Sequence, residues 1–341
     1  MRGKYKTMVG FYQKNYRALS ILFVALPISF ASNFLGITSA AGSTANGFSI
    51  SPLVSYITVD KGQTTSFSIN VGNPTGATLT AAPQADDFVA AGESGAAALI
   101  VSPKTPKPAN DFSSLVSGLS NLTIPPGGQQ TLNFTISVPR DANSGGYYGA
   151  IRFVPVFSST NKGVVGLTAS VGSLVLLTVP GNLIERLSLI QLSAAQNGQA
   201  NGLFVHGNLS VLMRLENEGN IYAQPYGTVQ VSNMDRHIIN VQQFNNTSPR
   251  ESILEGSTRK FTLGLPKYHW LGRYTITASI SYGNSQSNLI VAKANFWYLP
   301  TWFIITAVVA IAIIIFLIYW ITKKIKNIHV KKIKLKKRPR L

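Results

Sequence analysis

Apolar and polar side chains alternate along most of the middle of the chain. The pattern is plain in 64–71, where every second residue from Phe67 to Val71 is apolar, and it recurs in 131–138. A period of two indicates strands with one buried face. Further strands are predicted at 54–59, 147–156, 164–177, 184–192, 203–215, 227–232, 257–263, 274–282 and 288–296. No sustained helical period interrupts them, so the sequence predicts an all-β middle.

A shift of 127 positions aligns 131–147 with 258–274, with nine identical or conservative matches and no gap. Each copy is a strand ending in Pro-(Arg/Lys), a short corner and Gly-x-Tyr. The corner residues are Pro139, Gly145 and Tyr147 in one copy and Pro266, Gly272 and Tyr274 in the other. Strands E and F of an immunoglobulin-like sandwich meet in this way, with the Tyr hydroxyl bonded to upstream backbone. The repeat predicts two tandem immunoglobulin-like β-sandwiches, at 46–182 and 183–296, with 83–120 as an excursion between strands of the first.

An apolar segment lies near each end of the chain. Residues 1–41 combine a basic start, an apolar stretch and small residues, which predicts an export signal cleaved near Ala40 or Ala41. An uncleaved signal anchor is the alternative. Residues 302–321 carry no charge and are long enough to cross about 30 Å of hydrocarbon as a helix. A core helix of the folded domain is the alternative to this transmembrane helix.

The net charge of +18 comes largely from the two ends. Half of the 30 Lys and Arg residues lie in 1–17 and 323–341, where there is no acid. This distribution favours a topological role over a nucleic-acid partner. It places the basic tail, 322–341, in the cytoplasm and the β-rich middle outside a cell membrane that the chain crosses once. The tail residues expected to contact anionic lipid are Lys323, Lys324, Lys326, Lys331 and Lys332.

Few residues carry reactive chemistry. The chain has no Cys, which excludes disulfides, thiol nucleophiles and Cys-ligated metals, and its four His are not spaced as a metal pair. Asp86 and Asp87 are adjacent, so on an extended chain they point to opposite sides and do not flank one bond. No P-loop, G-x-S-x-G or H-E-x-x-H motif is present. We therefore expect a protein that is not an enzyme and has no cofactor.

Bulky aromatic residues follow the strand that leads into the second corner. Tyr268, His269 and Trp270 occupy this corner, and the last predicted strand, 288–296, leads into Trp297 and on to Trp302. In the predicted topology this corner and the end of the last strand lie at the same end of the sandwich. These five residues are therefore expected to contact the membrane interface. The alternative is that the corner rings plug the end of the sandwich.

Several sequence runs resemble a known family. The runs are DFVAAGESG at 87–95, IPPG at 124–127, VPRDANSGGYYGA at 138–150, LENEGN at 215–220, PYG at 225–227 and GRY at 272–274. The first three resemble the N-terminal domain of the bacterial WxL-interacting proteins and their uncharacterised relatives, and the others resemble the second domain of those relatives. The layout is similar over nearly the whole chain. The resemblance implies a cell-surface protein with a peptidoglycan-binding first domain and a second domain that binds a protein partner or host surface.

Together these features predict a membrane-anchored cell-envelope binding or adhesion protein that presents immunoglobulin-like domains to cell-wall polymer or to a surface protein. Two alternatives remain open. One is an assembly or chaperone-like subunit that offers strand edges to secreted partners. The other is an accessory subunit of a membrane or secretion complex, with contacts made by the transmembrane helix.

Overall fold

A computed structural model describes residues 47–102, 104–156, 170–268, 270–283 and 288–336, with side chains described as far as residue 326. The predicted signal segment 1–41 lies outside the described residues, as does the first part of the predicted strand 164–177. The described chain is predominantly β-strand and ends in one apolar helix. This agrees with the predicted all-β class followed by a helix.

The first β unit packs two sheets around one core. Its strands are β1 (Ser49–Ser51), β2 (Val54–Thr58), β3 (Thr64–Gly72), β4 (Leu79–Ala91), β5 (Ala96–Ile100), β6 (Val116–Ser117), β7 (Leu122–Ile124), β8 (Gln129–Ser137), β9 (Gly145–Val156) and β10 (Val171–Val179). One sheet has the order β1-β3-β8-β6 and the other β2-β10-β9-β4-β5, with β7 paired to β4. Ile69, Phe134, Phe153 and Val175 come from both sheets and are buried together between them. The alternation of apolar and polar residues along the strands thus gives each sheet one face that is buried in the core.

The segment 83–120 is not the simple excursion that its composition predicts. Nearly half of it, residues 83–100, completes β4 and forms β5, which pair as an antiparallel hairpin from Asp87–Ile100 to Ala91–Ala96. Beyond the hairpin, a short 3-10 turn (Ser113–Leu115) precedes β6. Phe112, just before that turn, is fully buried in the core of the first unit. The excursion prediction was wrong for the hairpin because alanines and one proline mask its alternation.

The second β unit has the same two-sheet organisation. Its strands are β11 (Leu187–Gln196), β12 (Gln199–Ala200), β13 (Leu203–Phe204), β14 (Leu209–Asn217), β15 (Tyr226–Ser232), β16 (Ile238–Phe244), β17 (Thr258–Gly264), β18 (Gly272–Tyr282) and β19 (Asn288–Tyr298). One sheet has the order β12-β11-β14-β17 and the other β13-β19-β18-β15-β16. Met213, Val231, Ile276 and Phe296 meet in the core between them. The predicted boundary at residue 183 falls in the link between β10 and β11.

Both corners of the sequence repeat hold a buried tyrosine. The Tyr147 hydroxyl donates to the carbonyl oxygen of Asn143 at 3.1 Å, and the Tyr274 hydroxyl donates to that of Trp270 at 2.9 Å. In each case the acceptor lies four residues upstream, across the short corner. The corner prolines, Pro139 and Pro266, follow the ends of β8 and β17. Each copy of the repeat therefore encodes the same tyrosine corner.

The helix α1 (Thr301–Lys336) is longer than the predicted segment 302–321. Its part Thr301–Lys326 is long and apolar enough to cross a membrane: it contains an 18-residue window with a mean hydropathy of 3.0, none of which is buried. The first lysines of the tail continue the helix, since Lys has a high helix propensity. Lys324 lies over the Trp320 ring at 4.9 Å and Lys323 over the Tyr319 ring at 6.0 Å. The side chains of Lys331 and Lys332 lie outside the described residues.

Candidate functional site

A row of apolar side chains crosses the outer face of the six-stranded sheet in the first unit. Leu176 on β10 lies opposite Tyr56 on β2 and opposite Tyr148 on β9, and Phe88 on β4 packs with Leu176 and Tyr148. Residues directly opposite in paired strands point to the same face. Phe88, Tyr148 and Leu176 are buried although they face away from the core of their own unit. Another part of the chain must therefore cover them.

The covering parts are the connection between β16 and β17 and the segment between β14 and β15, both in the second unit. Leu254 of this connection packs against the row. The Tyr56 hydroxyl lies 3.0 Å from Ser252 Oγ, and the Tyr56 ring lies 5.2 Å from the Tyr222 ring. The cover is incomplete and leaves an open cleft of about 230 Å³ between the two units. Its lining includes Val54, Tyr56, Phe88, Ala97, Leu174 and Leu176 from the first unit and Arg250, Ser252, Leu254 and Arg259 from the second.

The tip of the β4–β5 hairpin binds the second unit at one side of this cleft. The Glu93 carboxylate accepts from Arg214 Nε at 2.9 Å and from a second guanidinium nitrogen of Arg214. The Lys260 backbone N–H, on the edge strand β17, donates to the Glu93 carbonyl at 2.9 Å. The Arg214 guanidinium holds the pKa of Glu93 below its usual range. The hairpin thus joins the two units through both side chain and backbone.

The run Gly145-Gly146-Tyr147-Tyr148-Gly149 forms the other side of the contact between units. The Gly146 N–H donates to the Asn220 carbonyl of the second unit at 2.8 Å. A Cβ on Gly145 would lie 2.8 Å from that same oxygen, so a side chain there meets backbone. The sequence repeat predicts Gly145 and Tyr147 as corner residues but does not predict this contact. The closely spaced glycines of this run are the sequence feature that could have indicated the contact, because glycine allows close approach of another backbone.

The adjacent carboxylates Asp86 and Asp87 point to opposite sides of β4. Asp86 Oδ2 accepts from Arg152 Nε at 2.6 Å on the outer face. Asp87 Oδ1 accepts from the backbone N–H groups of Phe112 at 2.7 Å and Ser113 at 3.1 Å, and burial raises its pKa. Both carboxylates therefore hold structure in place. In the part of the chain that the structure describes, no three His, Asp or Glu residues cluster as a metal site. That the chain is not an enzyme stays a prediction.

Glu255 brings a carboxyl group into the contact between units. It lines a small cavity of about 110 Å³ with Phe88, Asn110 and Tyr148. Its Oε2 atom is buried and finds no hydrogen-bond partner among the described residues. Because burial disfavours the charged form, the pKa of Glu255 rises to about 7. The contact between the units thus contains a group that titrates near neutral pH.

Thermal stability is expected to fall as the pH rises from 5 to 8. Between about pH 4.5 and 7, folded Glu255 retains a proton that the unfolded chain, with a pKa near 4.5, has released, so the free energy of unfolding falls through this window and levels off above it. Ionisation above pH 7 then leaves a buried charge without a partner. The Glu255→Gln variant should melt at a higher temperature than wild type at pH 8 and show a flatter pH profile. The melting temperature is measured against pH by circular dichroism, with Asp235→Asn in the exposed β15–β16 turn as the control. An equal dependence of melting temperature on pH in all three proteins would contradict the assignment of this effect to Glu255.

The aromatic residues predicted to contact the membrane do not all face outward. Trp270, Trp297 and Trp302 are exposed. Tyr268 is buried, with its ring 4.7 Å from that of Tyr274 and 5.8 Å from that of Phe296. The prediction was wrong for Tyr268, which fills the end of the core as in the alternative interpretation. His269 lies outside the described residues.

Comparison with known proteins gives only distant structural likeness. No protein-family profile and no curated protein sequence matches the chain. It is similar to the class 5 fimbriae chaperone CfaA, with a TM-score of 0.40 and 10% identity over 72% of this chain and 98% of that chain. It is also similar to the Pseudomonas aeruginosa CupB2 chaperone (TM-score 0.31, 9% identity, 71% and 97%) and the E. coli chaperone DraB (0.33, 11%, 74% and 96%). At TM-scores below 0.5, the likeness assigns neither fold nor function to this chain.

Proposed function

We propose that the protein is a single-pass, membrane-anchored subunit of the assembly or chaperone-like class, which binds an extended apolar segment of a protein partner. The observation that carries the proposal is the apolar row on the outer face of the first unit, left partly open in the cleft between the units. The helix α1 supplies the anchor, with the β units outside the cell membrane and the basic tail in the cytoplasm.

The two β units are immunoglobulin-like sandwiches in this proposal. The second unit sets β11, β14 and β17 against β19, β18, β15 and β16. This arrangement matches strands A, B and E facing G, F, C and C′. The buried tyrosine corners lie between β8 and β9 and between β17 and β18, at the E-to-F position of each unit. The first unit adds β2 in parallel beside β10, next to the cleft.

A strand edge lies beside the cleft. β5 ends its sheet, and no described residue pairs with its outer edge. Ala96 and Ala97 on β5 line the cleft. An added partner strand would satisfy the free backbone groups of β5 and place alternate side chains toward the apolar row. A cleft of about 230 Å³ is smaller than the roughly 300–1,000 Å³ of small-molecule sites, which suits one or two side chains.

The resemblance to peptidoglycan-binding domains supports a cell-wall glycan as the main alternative ligand. Sugar rings commonly stack on exposed aromatic side chains, which present a flat apolar face and a polar edge. Among the described residues of the first unit the exposed large apolar side chains are aliphatic: Leu53, Val89, Leu99, Val101 and Val156. The observed surface therefore favours a protein segment over a glycan.

The Leu174→Glu variant tests the cleft. Leu174 is half-buried on β10 and lines the cleft, so a carboxylate there would have to be desolvated beside an apolar partner. Binding of the detergent-purified full chain to immobilised twelve-residue peptides with alternating apolar and polar residues should weaken at least about tenfold, or roughly 1.4 kcal/mol. Val291→Glu, which adds the same charge to the exposed face of β19, should bind as wild type.

Two results would contradict this proposal. One is binding of the peptides that is equal in Leu174→Glu, Val291→Glu and wild type. The other is retention of wild type and Leu174→Glu on insoluble cell wall at low salt without any peptide binding, which would establish the glycan-binding interpretation. Circular dichroism of each variant confirms that the fold is kept.

A further inference from the structure

Exposed apolar side chains gather at one end of the second unit, around a groove of about 560 Å³. We call Met234, Ile239, Trp270, Leu271 and Trp297 the membrane-end cluster. Met234 is 64% exposed and Trp270 is 75% exposed, although both side chains are large and apolar. Met234 comes from the β15–β16 turn, Ile239 from β16, and Trp270 and Leu271 from the corner before β18. Trp297 lies on β19 opposite Arg273, which lines the groove. Four separate parts of the second unit thus present apolar groups at this end.

The register of the sheet places this cluster beside the start of α1. Gly272 pairs with Tyr298, and Arg273 pairs with Trp297. The helix begins at Thr301, three residues after Tyr298, so its first residue lies within about 11 Å of Tyr298. The polar layer of a bilayer is roughly 5–8 Å thick on each side. A helix that enters the membrane at Thr301 therefore brings the cluster to the headgroups.

The composition of the cluster suits a lipid surface. Tryptophan and aliphatic residues partition to the boundary between headgroups and acyl chains, where an apolar body and a polar N–H are both satisfied. Lys267 and Arg273 line the same groove, and Asp235 is the one acid among its described lining residues. The basic side chains would face the phosphate groups of an anionic leaflet.

We propose that the membrane-end cluster inserts into the headgroup layer beside α1 and so fixes the tilt of the second unit on the membrane. The inference rests on the membrane anchoring in the proposed function and adds a second attachment to it. Tyr268 takes no part, because it is buried. Met234, Ile239 and Leu271, which the sequence patterns did not single out, supply the contact together with Trp270 and Trp297. With two attachments, the cleft between the units is held at a fixed height above the bilayer.

The natural absence of Cys allows the cluster to be probed one position at a time. The full chain is reconstituted into vesicles of phosphatidylcholine and phosphatidylglycerol with single cysteines carrying a nitrobenzoxadiazole label. Leu271→Cys reports on the cluster, and Leu99→Cys, at a residue of nearly equal exposure (36% against 38%), is the control on the first unit. Trp302→Cys reports on the helix. A lipid quencher near the headgroups should quench the Leu271 label at least about twofold more than the Leu99 label.

The Trp270→Ser variant should reduce quenching of the Leu271 label toward that of the Leu99 label. The fold is expected to be kept, since it is the Trp270 backbone carbonyl that accepts the Tyr274 hydroxyl; thermal melting checks this. Equal quenching at Leu271 and Leu99, with strong quenching at Trp302, would overturn the docking and leave the anchor standing. Weak quenching at Trp302 as well would overturn both. A blue-shifted Leu271 label without lipid quenching would mean that protein covers the cluster, which also overturns the inference.

Discussion

Replacing Asn217 by alanine is expected to lower the free energy of unfolding of the second β unit by about 3 kcal/mol. Asn217 is buried at the end of β14. Its Nδ2 donates to the carbonyl oxygens of Ile221 at 2.7 Å and Ile253 at 2.9 Å, and its Oδ1 accepts from the Gly219 N–H at 3.0 Å. Alanine would remove this partner from all three backbone groups in a place that water does not readily reach. The Ile253 carbonyl still accepts from the Ala223 N–H at 2.8 Å, so the Ile221 carbonyl and the Gly219 N–H account for most of the loss. Each such group costs about 1–3 kcal/mol, partly recovered by relaxation.

The loss is measured as a fall in the melting temperature of the full chain in detergent, with Asn295→Ala as the control. Asn295 is exposed on β19, and its side chain accepts from the Thr275 hydroxyl. The control should change stability by less than about 0.5 kcal/mol, as surface substitutions usually do. A similar loss in both variants would show that the buried amide is not the source of the effect.

Asn73 makes the equivalent set of side-chain hydrogen bonds in the first unit. Its Nδ2 donates to the carbonyl oxygens of Ala77 at 2.7 Å and Ile124 at 3.0 Å, and its Oδ1 accepts from the Thr75 N–H at 3.0 Å. In both units the amide reaches the fourth residue downstream and a segment distant in sequence. The repeat at a shift of 127 does not align Asn73 with Asn217, which are 144 positions apart. Loops of different length separate this asparagine from the corner in the two units.

Strands with β-branched residues and strict alternation were predicted from the sequence. In 64–71 and 131–138 one face packs on the core and the other meets solvent, so the pattern is clean. Strands β4 and β5 were missed because a second packing partner acts on the same sheet. Phe88 and Tyr148 point outward yet are buried under the second unit, which removes the polar half of the alternation. Ala residues and Pro83 weaken the pattern further.

Most strands could be predicted from the sequence, but the cleft between the two units could not. The cleft exists because two units, each predicted from its own pattern, meet at a specific angle. That angle depends on contacts such as Glu93 with Arg214 and Gly146 with Asn220, which join residues far apart in the chain. No periodicity within a strand encodes such pairs. The membrane-end cluster was partly predicted, since the topology of the corner already placed Trp270 beside the end of β19.

The Gly149→Ala variant is expected to destabilise the first unit by about 3 kcal/mol, within the range for overpacking and for lost aromatic burial. Gly149 lies on β9 in the last position of the Gly-Gly-Tyr-Tyr-Gly run and faces the core. A Cβ there would lie 1.8 Å from Phe112 Cδ1 and 2.5 Å from Phe112 Cγ. The fully buried Phe112 ring would have to leave its place. Its backbone N–H is bonded to Asp87, so displacement would also strain that buried carboxylate.

Two further variants separate this steric cause from a general effect of losing a glycine. Gly172→Ala on β10 is the matched control, since the nearest atom to its added Cβ lies at 3.7 Å. It should melt close to wild type. Adding Phe112→Leu to Gly149→Ala should restore part of the lost stability, because the smaller side chain makes room for the methyl group; the double-mutant cycle then gives a coupling of about 1 kcal/mol or more. Additive effects would mean that Gly149 and Phe112 do not compete for space. Coupling would assign the last glycine of the run to core packing, whereas Gly145 and Gly146 lie against the Asn220 backbone of the second unit.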